Sequence, residues 1–232
     1  MLYPLRYHSH RSFGTADLII LAVVVIIAII ISFFTRKAIV RRKLKKAPLR
    51  SLADFKHGET AKIVGRVEFV DEPLEAPLSG RECAWYCVRI MQSHGKSSST
   101  LIEAEDKCRF VLRDGDKVAY INDNTIKKYI EMDKRYHSGT FEDAGPRLEA
   151  YLKKHDKKSQ GFLGLNKSLH YSEGVLEKGE AVAVLGKGEW RDAESLGLPR
   201  EYGVVLSITT SENNPVYLSD DPDTVTVHGK SS

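Results

Sequence analysis

Three cysteines and eight histidines are the residues of this 232-residue chain with the widest chemical range. A structural zinc centre needs such residues in closely spaced pairs, because four ligands must converge on one ion. Cys83, Cys87 and Cys108 form no C-x2-C pair. On an extended strand Cys83 and Cys87 share a face but stand about 13 Å apart, at ~3.3 Å per residue, too far for one metal to bridge. They are expected as small core residues flanking Trp85. His57, His94, His137, His155 and His170 are scattered among polar neighbours, which offers no cysteine–histidine nucleophile pair. HGKSSS (94–99) and GKGEW (186–190) contain Gly-Lys without the earlier glycine that a phosphate-cradling loop requires, so both are expected as hairpin tips or loops. Neither H-E-x-x-H nor G-x-S-x-G occurs. Glu103, Glu105 and Asp106 read as a solvated edge ahead of a strand. These residue types, so spaced, predict no catalytic centre, no metal site and no cofactor.

The elements around them begin with an apolar run. Residues 18–34, LIILAVVVIIAIIISFF, contain one polar side chain, Ser32. At roughly 1.5 Å per residue the run reaches about 25 Å, so one transmembrane helix is expected over residues 17–35. A cleaved signal peptide would carry its positive charge first and end in small residues, whereas here the charge follows the core. The following basic block, Arg36, Lys37, Arg41, Arg42, Lys43, Lys45, Lys46 and Arg50, predicts by the positive-inside rule a single-pass protein with residues 1–16 outside and the bulk cytoplasmic. Three cysteines, an odd number, suit a reducing compartment. The block exceeds the net charge of +4 by itself, so the remainder is mildly acidic and no nucleic-acid partner is expected. As a linker over residues 36–57, it would lie against the bilayer, the expected lipid partner.

The chain beyond reads as α+β, mostly β. AKIVGRVEFV, ECAWYCVRIMQ, CRFVL, KVAYI, AVAVLGKGEW, YGVVLSITT, PVYLS and TVTVH are β-prone stretches between turn signals. They predict a barrel or sandwich, with two related halves as a further option, over residues 58–220, and a tail over 221–232. Residues 121–145 lack a clear period and are expected as loop. PRLEAYLKKHDKK then predicts one short amphipathic helix with Leu148, Tyr151 and Leu152 on the sheet. GFLGL (161–165) predicts a loop with Phe162 and Leu163 at its tip. Arg113-Asp114-Gly115-Asp116 and Glu177-Lys178-Gly179-Glu180 carry hairpin-turn signatures. In EPLEAPLSGRE, Pro73 and Pro77 fix φ while Ser79 and Gly80 supply a turn.

GRVEFVDEPLEAPLSGRECAWYCVRI, FVLRDGDKVAYI and YSEGVLEKGEAVAVLGKGEW, in that order, resemble the GIDE domain, also called BAM for "beside a membrane". The resemblance covers residues 58–220 and is strongest in APLSGR with Cys83 and Tyr86. It implies a prokaryotic-type relative of mitochondrial membrane E3 ubiquitin ligases. It also implies the alternative of ubiquitin-transferase activity and a part in membrane organisation, but that activity belongs to a RING whose eight zinc ligands do not occur between Met1 and Ser232. The function expected is therefore a non-catalytic, membrane-tethered interaction module, an adaptor or scaffold that binds a protein partner at the cytoplasmic face. Pro77, Leu78, Ser79, Gly80, Arg81, Phe162 and Leu163 are its candidate interaction surface. A third option, an OB-like barrel binding single strands, would want aromatics interleaved with Lys/Arg, a pattern that CAWYCVRI and AYINDNTIKKYI carry thinly.

Overall fold

The structure, a computed structural model, describes residues 17, 20–24, 35–138, 145–159, 168–212 and 214–226. Helix α1 (Arg36–Lys46) starts at Thr35, whose hydroxyl accepts the Ala38 N–H, and buries Val40 and Leu44, four residues apart and so on one face. The strands follow as β1 (Thr60–Phe69), β2 (Leu74–Glu75), β3 (Glu82–Cys83), β4 (Trp85–His94), β5 (Ser97–Lys107), β6 (Phe110–Asp114), β7 (Lys117–Ile121), β8 (Ile126–Tyr129) and β9 (Lys134–Ser138). Helix α2 (Pro146–Lys154) precedes β10 (Leu169–Leu176) and β11 (Ala181–Asp192), then come β12 (Val204–Thr209), β13 (Val216–Ser219) and α3 (Pro222–Val225).

Pairing closes five strands in the order β1-β6-β7-β12-β11 and back to β1. All contacts are antiparallel except β7 with β12. This strand order, with its one parallel pair, is that of an OB-type Greek-key barrel. Ile63, Leu112, Ala119, Val184, Leu206 and Ile208, from all five strands, fill it and are fully buried. At Gly186 a β-carbon would stand 2.5 Å from Ile208 Cγ2 and 2.9 Å from the Thr209 carbonyl, so the β11–β12 approach depends on glycine. Phe55, ahead of β1, joins the barrel core, and its carbonyl accepts the Trp190 indole N–H at 3.0 Å.

Two excursions from the barrel build a second sheet, β5-β4-β10-β9. The first supplies β4 and β5, the second β9, α2 and β10. Leu148, Tyr151 and Leu152 of α2 pack with Val88, Ile90 and Leu169 of this sheet.

Several expectations are corrected. Of residues 18–34 only 20–24 are described, as helix. Among the described residues no helix is long and apolar enough to cross a membrane. The α+β fold with a transmembrane helix over 17–35, and the single-pass placement, are therefore not carried by the structure. Within the basic segment, α1 lies on the barrel against Ala183, Leu185 and Tyr217. Within the expected loop over 121–145 lie β8 and β9; in β8 Lys128 lies over the Trp85 ring while Lys127 is exposed, so its buried face carries a polar residue and shows no apolar alternation. The turn at 177–180 joins strands of different sheets instead of closing a hairpin. TVTVH is no strand: Thr224 and Val225 end α3, and residues 227–232 lie outside the described residues.

Candidate functional site

The candidate surface divides between a described and an undescribed part. Phe162 and Leu163 lie outside the described residues. The turn holding Pro77, Leu78, Ser79, Gly80 and Arg81 caps the β2–β3 hairpin. Gly80 takes φ +73°, and its N–H bonds the Ala76 carbonyl at 2.8 Å. The reason for this shape is Glu173 of β10, fully buried. Its two carboxyl oxygens accept the Leu78 N–H at 2.8 Å and the Ser79 N–H at 3.0 Å. Arg81 spreads over the same corner, donating to Ser79 Oγ, Glu177 and Asp133. The turn thus clamps the first excursion onto the second.

The basic block is largely committed to the fold. Arg41 pairs with Asp221 at 3.1 Å and also with Asp223, which Lys45 meets at 3.1 Å. Lys37 donates to Tyr129 Oη at 2.6 Å and to Glu131 at 3.3 Å, and the Tyr129 bond leads in raising its pKa. Lys43 lies over the Tyr217 ring and Arg50 pairs with Glu59. Arg42 and Lys46 edge a groove that runs to Asn214, and Arg36 opens the helix. Beside this interface Asp220 accepts the Glu131 N–H with both oxygens; burial foremost, then the Glu180 and Asp133 charges, push its pKa up to about 7.

Burial pushes the Cys83 and Cys87 thiols up to about 12, and it raises Cys108 as well, so little nucleophilic thiolate exists near neutrality. Among the described residues no group of three or more His, Cys, Asp or Glu side chains could hold a metal ion.

A cavity of about 260 Å³ opens where the first excursion rejoins the barrel, walled by Trp85, Phe110, Tyr120 and Ile126 and rimmed by Lys107 and Arg109. It lies on the β6–β7 side, the strands and neighbouring loops through which OB barrels commonly take ligands. Trp85 is 3% exposed, and its indole N–H is buried with no acceptor among the described residues. Two ammonium groups approach its ring, Lys128 at 4.3 Å and Lys107 at 5.2 Å from the centroid, in cation–π range. Lys128 is neutralised by Glu105 at 2.5 Å, and Arg109 is held in a fork by Asp71. Among the described residues no carboxylate pairs with Lys107. Its pKa is lowered by desolvation first and by the Lys128 charge second.

Sequence reasoning did not single out this site. Its signal is present in CAWYCVRI and AYINDNTIKKYI, the two stretches considered for an OB-like barrel, which meet here through Trp85, Tyr120, Ile126 and Lys128. A broader groove of about 760 Å³ runs past Arg50, Arg66 and Arg113, but Glu59, the Gly179 carbonyl and Glu68 already occupy those guanidinium groups.

Comparison with family models, curated proteins and solved structures finds no match. The likeness to the GIDE domain therefore stands on the quoted residues alone.

Proposed function

We propose that this chain is a non-catalytic interaction module, an adaptor or scaffold whose partner is a protein that docks at the Trp85–Lys107 cavity. One observation carries the proposal: Lys107, which among the described residues has no carboxylate in ion-pair range, stands at the rim of an open cavity with apolar walls. An unpaired charge at the edge of an apolar hollow favours a partner that brings the opposite charge. The resemblance to the GIDE domain, non-catalytic apart from its RING, agrees with this function. Single-strand binding is disfavoured, because stacking needs exposed aromatic faces; Trp85 and Phe110 are 3% and 6% exposed.

The test is co-purification with the full chain from cells that produce it naturally, wild type against Lys107→Glu, with bound proteins identified by mass spectrometry. A discrete partner held by wild type and lost from the variant is expected. Identical protein sets, or recovery of nucleic acid alone, would remove the proposal.

A further inference from the structure

Resting on the reading of the cavity as a protein-docking site, we infer that it receives a single apolar side chain from an acidic segment of the partner, with a flanking carboxylate paired to Lys107. The size of the cavity selects the class. Pockets for small molecules and cofactors hold about 300–1,000 Å³, and about 260 Å³ falls below that range. It has room for one leucine- or phenylalanine-sized group and is too small for a dinucleotide or a drug-sized ring system. Phe110, Tyr120 and Ile126 give that group an apolar wall.

The rim selects the charge. The Arg109 fork is filled by Asp71 and its third nitrogen donates to the Gly197 carbonyl, so this guanidinium offers little to a newcomer. Lys128 is closed by Glu105. Lys107, at the exposed end of β5, is the rim cation left to compensate. Lys107 and Lys128 both lie over the Trp85 ring, but among the described residues only Lys128 has an ion-pair partner. A carboxylate at this point would pair with Lys107, whereas a basic segment would be repelled by it.

The experiment uses the full chain and a fluorescein-labelled pentapeptide of two glutamates, a central leucine and two aspartates, followed by anisotropy at low salt. Two control peptides replace the acids by lysine or the leucine by glycine. The acidic leucine peptide is expected to bind, with at least tenfold loss, ~1.4 kcal/mol, for either control peptide and for Lys107→Glu. Lys107→Arg should stay within threefold of wild type, and thermal unfolding of both variants should match wild type, as expected at an exposed site. Equal affinity of wild type and Lys107→Glu, equal binding of the lysine peptide, or no binding up to millimolar peptide would overturn the inference. If the peptide fails while a protein partner is still lost on Lys107→Glu, the ligand class is wrong and the docking site stands. If only an oligothymidine competitor binds, both fail together.

Discussion

Removing the carboxylate of Glu173 tests whether the APLSGR turn is scaffold. Glu173→Ala deletes the acceptor of two backbone N–H groups, those of Leu78 and Ser79, at a position with no solvent exposure. Hydrogen bonds to a charged acceptor contribute ~1.5–3 kcal/mol each, and the stranded donors lose their only acceptor. Two such bonds give about 3–6 kcal/mol, partly offset because the variant no longer buries a charge. We therefore expect a loss near the lower end, about 3 kcal/mol, a large share of the ~5–15 kcal/mol that holds a domain together. Urea unfolding reads this directly: with an m-value of about 2 kcal/mol/M, the midpoint should fall by roughly 1.5 M. Ser79→Ala is the control, since it keeps the Ser79 N–H and removes only the hydroxyl that accepts from Arg81; it should cost under ~1 kcal/mol. A Glu173→Ala midpoint within 0.3 M of wild type, or a Ser79→Ala loss of the same size, would refute the reasoning and return the turn to the solvent-facing surface.

Asp220 keeps its proton in the folded chain up to about pH 7 but loses it near 3.9 when unfolded. The folded state therefore binds the extra proton between these values, and stability should fall as pH rises through that window, by up to ~1.4 kcal/mol per unit. Denaturation across pH 4–8 should show this slope in wild type and a flatter one in Asp220→Asn; equal slopes would exclude Asp220 as the cause. Gly186→Ala forces a methyl against Ile208 and Thr209 and should cost ~1–3 kcal/mol by overpacking, measured as a midpoint shift. Arg41→Ala leaves Asp221, whose side chain is 5% exposed, without its main cation. A loss of roughly 1–3 kcal/mol is expected in urea unfolding, between the values for exposed and fully buried pairs; no change would mean that α1 is held by Val40 and Leu44 alone.

How much of this was legible in the sequence depended on whether the signal was local. β7, β11 and β12 follow their β-prone stretches, and α2 begins at Pro146 as the apolar spacing of Leu148, Tyr151 and Leu152 requires. Their patterns are set by a single face meeting a single core. β8 was missed because IKKY is held by its parallel register with β13, ninety residues on. The basic block was read by charge alone, and charge does not show that Asp221 and Asp223, far along the chain, wait for Arg41 and Lys45. The apolar run was read by length, and most of it lies outside the described residues. APLSGR was recognisable as a turn, but its partner is one glutamate on β10 that resembles any surface glutamate until the sheets are assembled. The cavity was least visible, because Trp85 and Lys128 come from different excursions of the barrel and meet only after it closes.

The central claim, protein docking at the cavity, is tested most directly by a photoreactive benzoylphenylalanine at position 125 of the full chain, an exposed site next to the cavity-wall residue Ile126 that leaves Lys107 in place, with the same residue at Lys117, at the turn end of the β6–β7 hairpin, as reference. Irradiation in cells should yield a discrete cross-linked protein from position 125 and not from position 117. No adduct at 125, the same adducts from both positions, or adducts to nucleic acid alone would contradict it.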